Sequence, residues 1–388
     1  MSREKPRVAF IDGNVNINFL GEISKPNISI DGLMTVSGDV VIPAESFVSD
    51  SLSHAFLCAK LFASYNHYDC SLFFLNIWEK DQDKASIDAL VIALNWCLEN
   101  DIKLINLSVG STLLVDMHKL SGIVGSLVAK NVIIVASSSN GDELTFPAAL
   151  DGVISVRAIE ARKKIREYVY DVCSIDRIKG KVFLQAEFLE CNDAHYAWGC
   201  SNSLAAPIMT AQICGFLSEG ATTLKEVEKK LIKQSCKRVM KYNEIYRKHF
   251  KEIVKVPTLV FINDDSDFST LIQSFLLDFS KKEYMGICLS EKAKTNITEQ
   301  IINLSDFPKY SSKAKIRFYA NYCNVDYVIL EISSLKFSQL NSKYVDVLLY
   351  NPRKNYIVEE NKYCVRYIYD DSSHKDLFED IFQLLSTA

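Results

Sequence analysis

The chain has 388 residues, of which 48% are hydrophobic and 24% are charged, and its formal net charge is −4 at pH 7. This length predicts two or three domains, and the charge excludes an electrostatic drive toward nucleic acid or anionic membranes. The 11 cysteines show no paired spacing, which favours reduced thiols in a cytoplasmic protein over a disulfide framework. Neither a signal segment nor an apolar run of membrane-spanning length is present, so we expect no membrane partner.

Residues 1–238 alternate between strand and helix patterns. The predicted strands are Arg7–Ile11, Ser71–Ile77, Leu104–Ser108, Val132–Ala136 and Val153–Val156. The predicted helices are Ser53–Ser64, Ala85–Asn100, Met117–Ala129, Ser203–Ser218 and Leu224–Cys236. Such alternation predicts an α/β domain with a doubly wound parallel sheet and helices on both faces. In sheets of this kind, ligands bind at the carboxyl ends of the strands.

Two further segments of this domain are predicted as β-hairpins. Phe19 to Asp50 has alternating apolar residues and turn signals, and we interpret it as an insertion that forms a lid or rim. Lys181 to Trp198 is interpreted as a second hairpin, and its His195 is assigned a surface role.

Four polar side chains lie at the ends of predicted elements. In chain order they belong to Asp12, His54, Asn140 and Ser203. A Ser at a helix start is ordinarily a plain N-cap, and Pro207 fits the same first turn. The alternative is a nucleophile at Ser203, for which the other three side chains would supply the partners.

Each of these residue types suits one step of acyl transfer. A serine hydroxyl is a weak nucleophile and needs an adjacent base, which His54 can provide because imidazole titrates near neutral pH. A buried Asp12 carboxylate would hold the imidazole in the correct tautomer. Asn140 and the backbone N–H of Ser203 would donate hydrogen bonds to the developing oxyanion.

The motifs resemble those of the subtilisin-like serine peptidases. Ser201-Asn202-Ser203-Leu204-Ala205-Ala206-Pro207 is similar to the nucleophile motif G-T-S-x-A-x-P. The family's Asp, His, substrate-strand and oxyanion motifs resemble, in order, Asp12-Gly13, His54 to Lys60, Ile105 to Gly110 and Ser137 to Asn140. The similarity runs from about Pro6 to about Lys237. It implies a serine endopeptidase with the triad Asp12, His54 and Ser203 and with Asn140 in the oxyanion hole.

The resemblance also implies where a peptide substrate binds. The expected substrate-binding residues are Leu107, Ser108, Val109 and Gly110, along which the peptide would add a strand, and Thr145 and Phe146, which would floor or flank a pocket. The family's calcium site is not expected, because Ala63–Cys70 offers too few oxygen ligands. The family's usual propeptide is likewise not expected, because few residues precede Val8.

Several glycines of the family motifs are replaced here. Ser201 stands two residues before the nucleophile, Ala55 follows the His, and Ser139 precedes the oxyanion Asn. These replacements predict a selective cleft and limited processing of a dedicated peptide, such as leader removal from a ribosomally made peptide. The alternative is a catalytically silent peptide-binding or scaffold protein, and the reactivity of Ser203 discriminates between the two.

The resemblance ends near residue 238, and a second α/β pattern follows. Residues 239–255 are predicted to be a basic, Tyr-rich linker, and residues 256–388 a smaller three-layer domain of Rossmann or P-loop type. Its predicted strands are Thr258–Ile262, Tyr284–Leu289, Tyr327–Ile332, Val345–Leu349 and Cys364–Tyr369. Its predicted helices are Phe268–Phe279, Thr298–Ile302 and Lys375–Leu385.

The first loop of this second domain, Asn263–Asp267, stands where a phosphate-binding loop would. It contains no Gly and no Lys, and three of its five residues are Asp. Its backbone could not approach a phosphate closely, and its carboxylates would repel one. We therefore expect no nucleotide cofactor and no metal, and we predict that this domain recognises peptide or protein. The sequence leaves the oligomeric state open.

Overall fold

A computed structural model of the chain gives the arrangement of its elements. It describes residues 5–44, 53–78, 85–161, 167–172, 174–184, 187–191, 194–198, 200–238, 240–251, 256–264, 268–307, 309–340, 345–350, 364–367 and 374–386. The chain divides into two compact units, Met1–Met240 and Lys241–Ala388, and each is described by itself.

The first unit contains most of the strands. They are β1 (Arg7–Asp12), β2 (Ile28–Ser37), β3 (Val40–Pro43), β4 (Cys70–Asn76), β5 (Leu104–Leu107), β6 (Ile133–Ser137), β7 (Val153–Glu160), β8 (Tyr168–Tyr170), β9 (Gly180–Leu184), β10 (Glu187–Cys191) and β11 (Ala194–Trp198). Its helices are α1 (His54–Tyr65), α2 (Ile87–Glu99), α3 (Leu114–Ala129), α4 (Asn202–Ser218) and α5 (Leu224–Gln234), with a 3₁₀ helix at Ile17–Glu22.

Nine of these strands form one sheet in the order β3-β2-β4-β1-β5-β6-β7-β9-β8. Its neighbours run parallel except at the two edges, where β3 and β8 are antiparallel. The central strands are apolar runs that are buried on both faces, as parallel strands covered by helices must be. On one face the ring of Phe10 packs against Phe62 of α1 and Phe74, with centroids 5.3 and 5.6 Å away. The predicted doubly wound parallel sheet is confirmed.

Both predicted hairpins contribute to this sheet, the first with β2 and β3 and the second with β9. β2 pairs with β3 as a hairpin, but it also runs parallel to β4 and therefore extends the sheet instead of forming a separate lid. The reason is its apolar side, because Ile28 is buried and Ile30 packs against the core. Residues 45–50 of the same predicted segment lie outside the described residues. β9 likewise pairs with β7, so that the second hairpin comprises only β10 and β11.

The second unit is built on an all-parallel sheet. Its strands are β12 (Thr258–Ile262), β13 (Gly286–Ser290), β14 (Ile301–Asn303), β15 (Tyr327–Ile332), β16 (Val347–Tyr350) and β17 (Cys364–Tyr367). They are ordered β14-β13-β15-β12-β16-β17 and all pair in parallel. The second parallel sheet predicted from the sequence is thereby confirmed. β14 and a 3₁₀ turn at Ile297–Glu299 replace the predicted helix Thr298–Ile302, because Ile301 and Ile302 are buried beside β13.

Six α-helices lie in the described part of this unit. They are α6 (Tyr242–Ile245), α7 (Arg247–Lys251), α8 (Ser269–Lys281), α9 (Ser312–Tyr322), α10 (Ser334–Phe337) and α11 (His374–Ser386). Phe275 and Phe279 of α8 and Phe378 of α11 pack in one core cluster with the sheet. No helix among the described residues is both long and apolar enough to span a bilayer.

α6 and α7 lie in the segment predicted as a linker, yet they are packed within the second unit. Tyr246 is 1% exposed, and its ring contacts Phe318 and Tyr322 of α9 at centroid distances of 5.3 and 5.6 Å. Phe250 stacks on Phe318 at 5.0 Å. We call Tyr246, Phe250, Phe318 and Tyr322 the aromatic cluster. Because these rings are packed together, the Tyr-rich segment around α6 and α7 is part of the folded second unit.

Candidate active site

The first site residue stands at the carboxyl end of the central strand β1. Asp12 is 1% exposed, and its Oδ1 accepts a hydrogen bond of 2.8 Å from the backbone N–H of Gly13. Its Oδ2 lies 2.8 Å from Nδ1 of His54. The strand thus buries a carboxylate at the edge of the sheet where the imidazole approaches.

His54 is the first residue of α1. The preceding Ser53 caps this helix, because its hydroxyl accepts from the backbone N–H of Phe56 at 3.2 Å. The ring of His54 bridges two groups, since its Nδ1 meets Asp12 and its Nε2 lies 2.9 Å from Oγ of Ser203. The sequence positions of His54 and Ser203 differ by 149, so the fold and not the local chain brings them together.

Two opposing influences act on the pKa of His54. Burial of the ring lowers the pKa, but the hydrogen bonds with Asp12 and Cys58 and the charge of Asp12 outweigh burial and raise it above its ordinary value. Burial also raises the pKa of the Cys58 thiol, which is therefore neutral near pH 7. The hydrogen bond with Asp12 is the largest of the influences that raise the pKa of His54.

Ser203 lies in the first turn of α4, next to a buried amide that fixes this turn. Asn202 is 5% exposed, and its Oδ1 accepts from the backbone N–H of Ala158 at 2.9 Å. Its Nδ2 donates to the carbonyl of Ser139 at 2.7 Å and to the hydroxyl of Ser138 at 3.1 Å. The side chain of Asn202 thus joins the start of α4 to β7 and to the loop after β6.

The backbone of Asn202 also orients Asn140. Its N–H donates to Oδ1 of Asn140 at 2.9 Å. The oxygen end of the Asn140 carboxamide is thereby held at the first turn of the helix that carries Ser203. Asn140 and Ser203 line one cleft.

Cys58 was not among the site residues predicted from the sequence. The thiol is buried, and its Sγ lies 3.9 Å from both ring nitrogens of His54 and 3.4 Å from Oγ of Ser108. Ser108 in turn donates to the carbonyl of Ser203 at 2.9 Å. The spacing of four residues on one helix placed Cys58 on the face of His54 and was the available signal.

The cleft has a volume of about 500 Å³ and contains most of the predicted substrate-binding residues. Ser108, Val109, Gly110 and Thr145 line it, together with Asn140 and Ser203. Apolar side chains such as Trp78, Leu90 and Leu113 form part of the remaining wall.

Leu107 and Phe146 lie outside this lining. Leu107 is the last residue of β5, is fully buried and pairs with β1 on one side and β6 on the other. A substrate strand therefore cannot pair with it. Phe146 is also fully buried and exchanges two backbone hydrogen bonds with Ser111, of 2.7 and 2.8 Å. The Phe146 side chain packs behind the wall instead of facing a substrate.

Gly110 fits tightly against that pair of residues. A Cβ atom at Gly110 would lie 2.7 Å from the carbonyl oxygen of Phe146 and 3.0 Å from Cγ2 of Thr145. The wall of the cleft thus needs Gly here because the backbones approach closely. The predicted surface role of His195 concerns a side chain outside the described part of the structure.

One group of potential metal ligands coincides with the site. Within the described residues, Asp12, His54 and Cys58 each offer a ligand atom, and these atoms lie within 4.8 Å of one another. The Asp12 and His54 atoms already share a hydrogen bond, and a metal ion needs the Cys58 thiolate. Without a metal, the arrangement can pass a proton from the Ser203 hydroxyl to His54 and leave Oγ as a nucleophile.

Comparison with known proteins gives similarity in structure only. No protein-family model matches the chain, and no curated protein is significantly similar to it. A lanthipeptide protease is 14% identical with a TM-score of 0.45, over 61% of this chain and 81% of that one. The nisin leader peptidase NisP from Lactococcus lactis is 12% identical with a TM-score of 0.46, over 61% of this chain and 84% of its own. The prenylagaramide maturation protease PagA is 18% identical with a TM-score of 0.39, over 59% and 83%. At identities and TM-scores as low as these, the similarities do not assign a function.

Proposed function

We propose that the chain is a serine endopeptidase that uses Asp12, His54 and Ser203. One observation carries this proposal. A continuous chain of hydrogen bonds runs from the buried carboxylate of Asp12 through both ring nitrogens of His54 to Oγ of Ser203, with lengths of 2.8 and 2.9 Å. Nucleophile, base and orienting carboxylate are thus in contact, as acyl transfer by serine requires.

In the acylation step, Ser203 Oγ forms a bond to the carbonyl carbon of the scissile peptide. The carbonyl π pair moves onto its oxygen, and the hydroxyl proton moves to Nε2 of His54. When the tetrahedral intermediate collapses, the C–N bond breaks and its electron pair leaves with the amine nitrogen, which takes the proton from His54. An ester between the substrate acyl group and Ser203 remains, and Asp12 stabilises the imidazolium during both transfers.

In the deacylation step, water replaces the amine. It gives a proton to His54 as its oxygen bonds to the ester carbon. When this second intermediate collapses, the bond from carbon to Ser203 Oγ breaks, the electron pair returns to Oγ, and His54 restores the proton. The substrate leaves as a carboxylic acid, which ionises at neutral pH.

Asn140 would stabilise the oxyanion of both intermediates. Support for this role comes from the hydrogen bond between its Oδ1 and the backbone N–H of Asn202, which fixes the carboxamide beside the nucleophile. The Nδ2 protons of Asn140 and the backbone N–H of Ser203, at the N-terminus of α4, would be the two donors.

We further propose limited processing of a dedicated peptide, such as leader removal from a ribosomally made peptide. The peptide would extend along Ser108–Gly110, which line the cleft beyond the last paired residue of β5. Side chains at Ser201 and Ser139, where the family motifs have Gly, support a restricted cleft. Gly110 also packs closely against Phe146, so this part of the cleft wall has little room to adapt to different substrates.

A fluorophosphonate probe tests the proposed nucleophile. The wild-type chain should acquire the phosphonyl group at Ser203, located by mass spectrometry of peptides, whereas Ser203→Ala and His54→Ala should lower the labelling rate by about 10³-fold or more. Ser218→Ala is the matched control, because it removes a hydroxyl from the other end of the same helix. Folded wild-type protein that is not labelled would be a silent peptide-binding protein, the alternative left open by the sequence.

For the second unit we propose recognition of the peptide or protein substrate and not of nucleotide. After β12, Asp264 accepts from the backbone N–H of Ser334 at 2.8 Å, and the ammonium of Lys292 donates to the carbonyl of Asn263. Asp264 and Lys292 thus already have protein partners at the edge of the sheet where a phosphate would lie. Residues 265–267 of the predicted loop lie outside the described residues. Millimolar ATP with Mg²⁺ should leave the Tm unchanged by calorimetry, and a clear rise would contradict this proposal.

A further inference from the structure

Ser201 contacts the candidate nucleophile directly. It is the N-cap residue of α4, with φ −109° and ψ 142°, but its side chain makes no capping hydrogen bond. A Ser at this position usually accepts from a backbone N–H of the first turn. Here its Oγ lies 2.6 Å from Oγ of Ser203 instead. The hydroxyl is therefore directed to the reacting atom and not to the helix end.

The direction of this hydrogen bond follows from the neighbouring groups. A carboxylate only accepts, so the His54 ring nitrogen that faces Asp12 carries a proton. In neutral imidazole the other nitrogen is then an acceptor, and it takes the single hydroxyl hydrogen of Ser203. While His54 is neutral, which is the state that accepts the proton, that hydrogen is committed and Ser201 is the donor in its contact with Ser203.

We propose that Ser201 is a further catalytic residue, which donates a hydrogen bond to Ser203 Oγ and stabilises the negative charge that develops there. This inference rests on the proposed peptidase function. Oγ has two lone pairs, of which one accepts from Ser201 and the other attacks the substrate. As the Ser203 proton moves to His54, Oγ becomes more negative, and a hydrogen bond to a charged oxygen is stronger than one to a neutral hydroxyl.

The same donor acts when the acyl-enzyme breaks down. The electron pair of the bond from the ester carbon to Oγ returns to Oγ before His54 has fully delivered its proton. Ser201 would stabilise that charge from the same position. The nucleophile motif that Ser201–Pro207 resembles has Gly at this place, so family resemblance alone does not supply this hydroxyl.

Labelling by a fluorophosphonate isolates this effect, because only the bond from Oγ to phosphorus forms and fluoride leaves. We would measure the second-order labelling rate against pH for wild type, Ser201→Ala, Ser201→Thr and the control Ser218→Ala. On the high-pH plateau, Ser201→Ala should be about five- to tenfold slower, since a charged hydrogen bond is about twice as strong as a neutral one. Ser201→Thr keeps the donor and should stay within about twofold of wild type.

The pH midpoint distinguishes a donor from a structural residue. It should be the same in Ser201→Ala as in wild type, because Asp12 and not Ser201 faces the protonated ring nitrogen of His54. A Ser201→Ala rate equal to or above wild type would overturn the proposal. So would a displaced midpoint together with failure of Ser201→Thr to restore the rate, since the residue would then act by placing His54.

Ser201→Gly, which restores the residue of the family motif, replaces Ser201→Ala if that variant does not fold, and the same slowing is expected. Failure of the inference and failure of the proposed function give different results. If wild type and Ser201→Ala are both labelled at Ser203 at equal rates, only the role of Ser201 is refuted. If folded wild type is not labelled at Ser203 at all, the peptidase proposal fails and the role of Ser201 fails with it.

Discussion

Replacement of Asn202 by Ala should destabilise the first unit strongly although it removes only one small side chain. Three hydrogen bonds of the Asn202 carboxamide would be lost, and the N–H of Ala158 and the carbonyl of Ser139 would lose this partner. An unsatisfied buried backbone group costs about 1–3 kcal/mol. The N–H of Ala158 is buried, whereas Ser139 is half-buried and its carbonyl can bind water, so we expect the free energy of unfolding to fall by about 1–3 kcal/mol, the cost of one unsatisfied buried group.

Urea unfolding followed by tryptophan fluorescence measures this change in the first unit. All three tryptophans, Trp78, Trp96 and Trp198, belong to the first unit. Asn95→Ala is the matched control, because Asn95 is exposed and its Nδ2 donates to the carbonyl of Val91 within the same helix. Its free energy of unfolding should change by less than about 0.5 kcal/mol.

A loss smaller than about 1 kcal/mol for Asn202→Ala would refute the reasoning. It would mean that water or rearranged backbone satisfies the N–H of Ala158 and the carbonyl of Ser139. A large fall in the free energy of unfolding, with an unchanged fluorophosphonate labelling rate for the protein that remains folded, would agree with the reasoning. The backbone N–H that holds Asn140 is retained in the variant.

Three further predictions concern catalysis. Asn140→Ala should lower kcat on a peptide substrate by about 10²–10³-fold with little change in KM, and an unchanged kcat would assign the oxyanion to other donors. The labelling rate should rise with pH through the pKa of His54, because only neutral imidazole accepts the Ser203 proton. Asp12 raises this pKa, so in Asp12→Asn the midpoint of the pH profile should move to lower pH. The labelling rate on the high-pH plateau should also be lower in this variant. An unmoved midpoint in Asp12→Asn would contradict that assignment. Gly110→Ala places a Cβ 2.7 Å from the Phe146 carbonyl and should slow peptide hydrolysis about tenfold while labelling by the small probe changes little; equal slowing of both would locate the damage at Ser203.

The sequence predicted the central strands because their signal is local. β1, β4, β5 and β6 are continuous apolar runs, and such runs are buried on both faces of a parallel sheet. β2 was placed in a hairpin but not beside β4, since that pairing depends on contacts with a strand about 40 residues later, as for Ile30 and Leu72. In the second unit, α9 was not predicted. Its sequence contains Lys and Arg residues before the positions that face the aromatic cluster, so the apolar pattern of a helix is weak.

The candidate site, too, has residues that the sequence predicts and contacts that it does not. Asp12, His54, Asn140 and Ser203 were identified through motif order, and they meet at the carboxyl ends of β1 and β6 and at the starts of α1 and α4. Motif order could not show what the replaced glycines do. The contact of the Ser201 hydroxyl with Ser203 depends on a rotamer at the helix start. The buried Cys58 thiol lies one helical turn after His54, but its contact with the carbonyl of Ser203 depends on the packing of α1 on α4.

The aromatic cluster decides where the second unit can be separated from the first. A fragment that begins at residue 256 would lack Tyr246 and Phe250 and would leave Phe318 and Tyr322 of α9 facing water. Aromatic side chains bury about 150–250 Å² each, so the exposed surface would reach the size at which apolar patches drive association. A soluble fragment for binding studies should therefore begin at Lys241, although the composition of this segment suggests a dispensable tether.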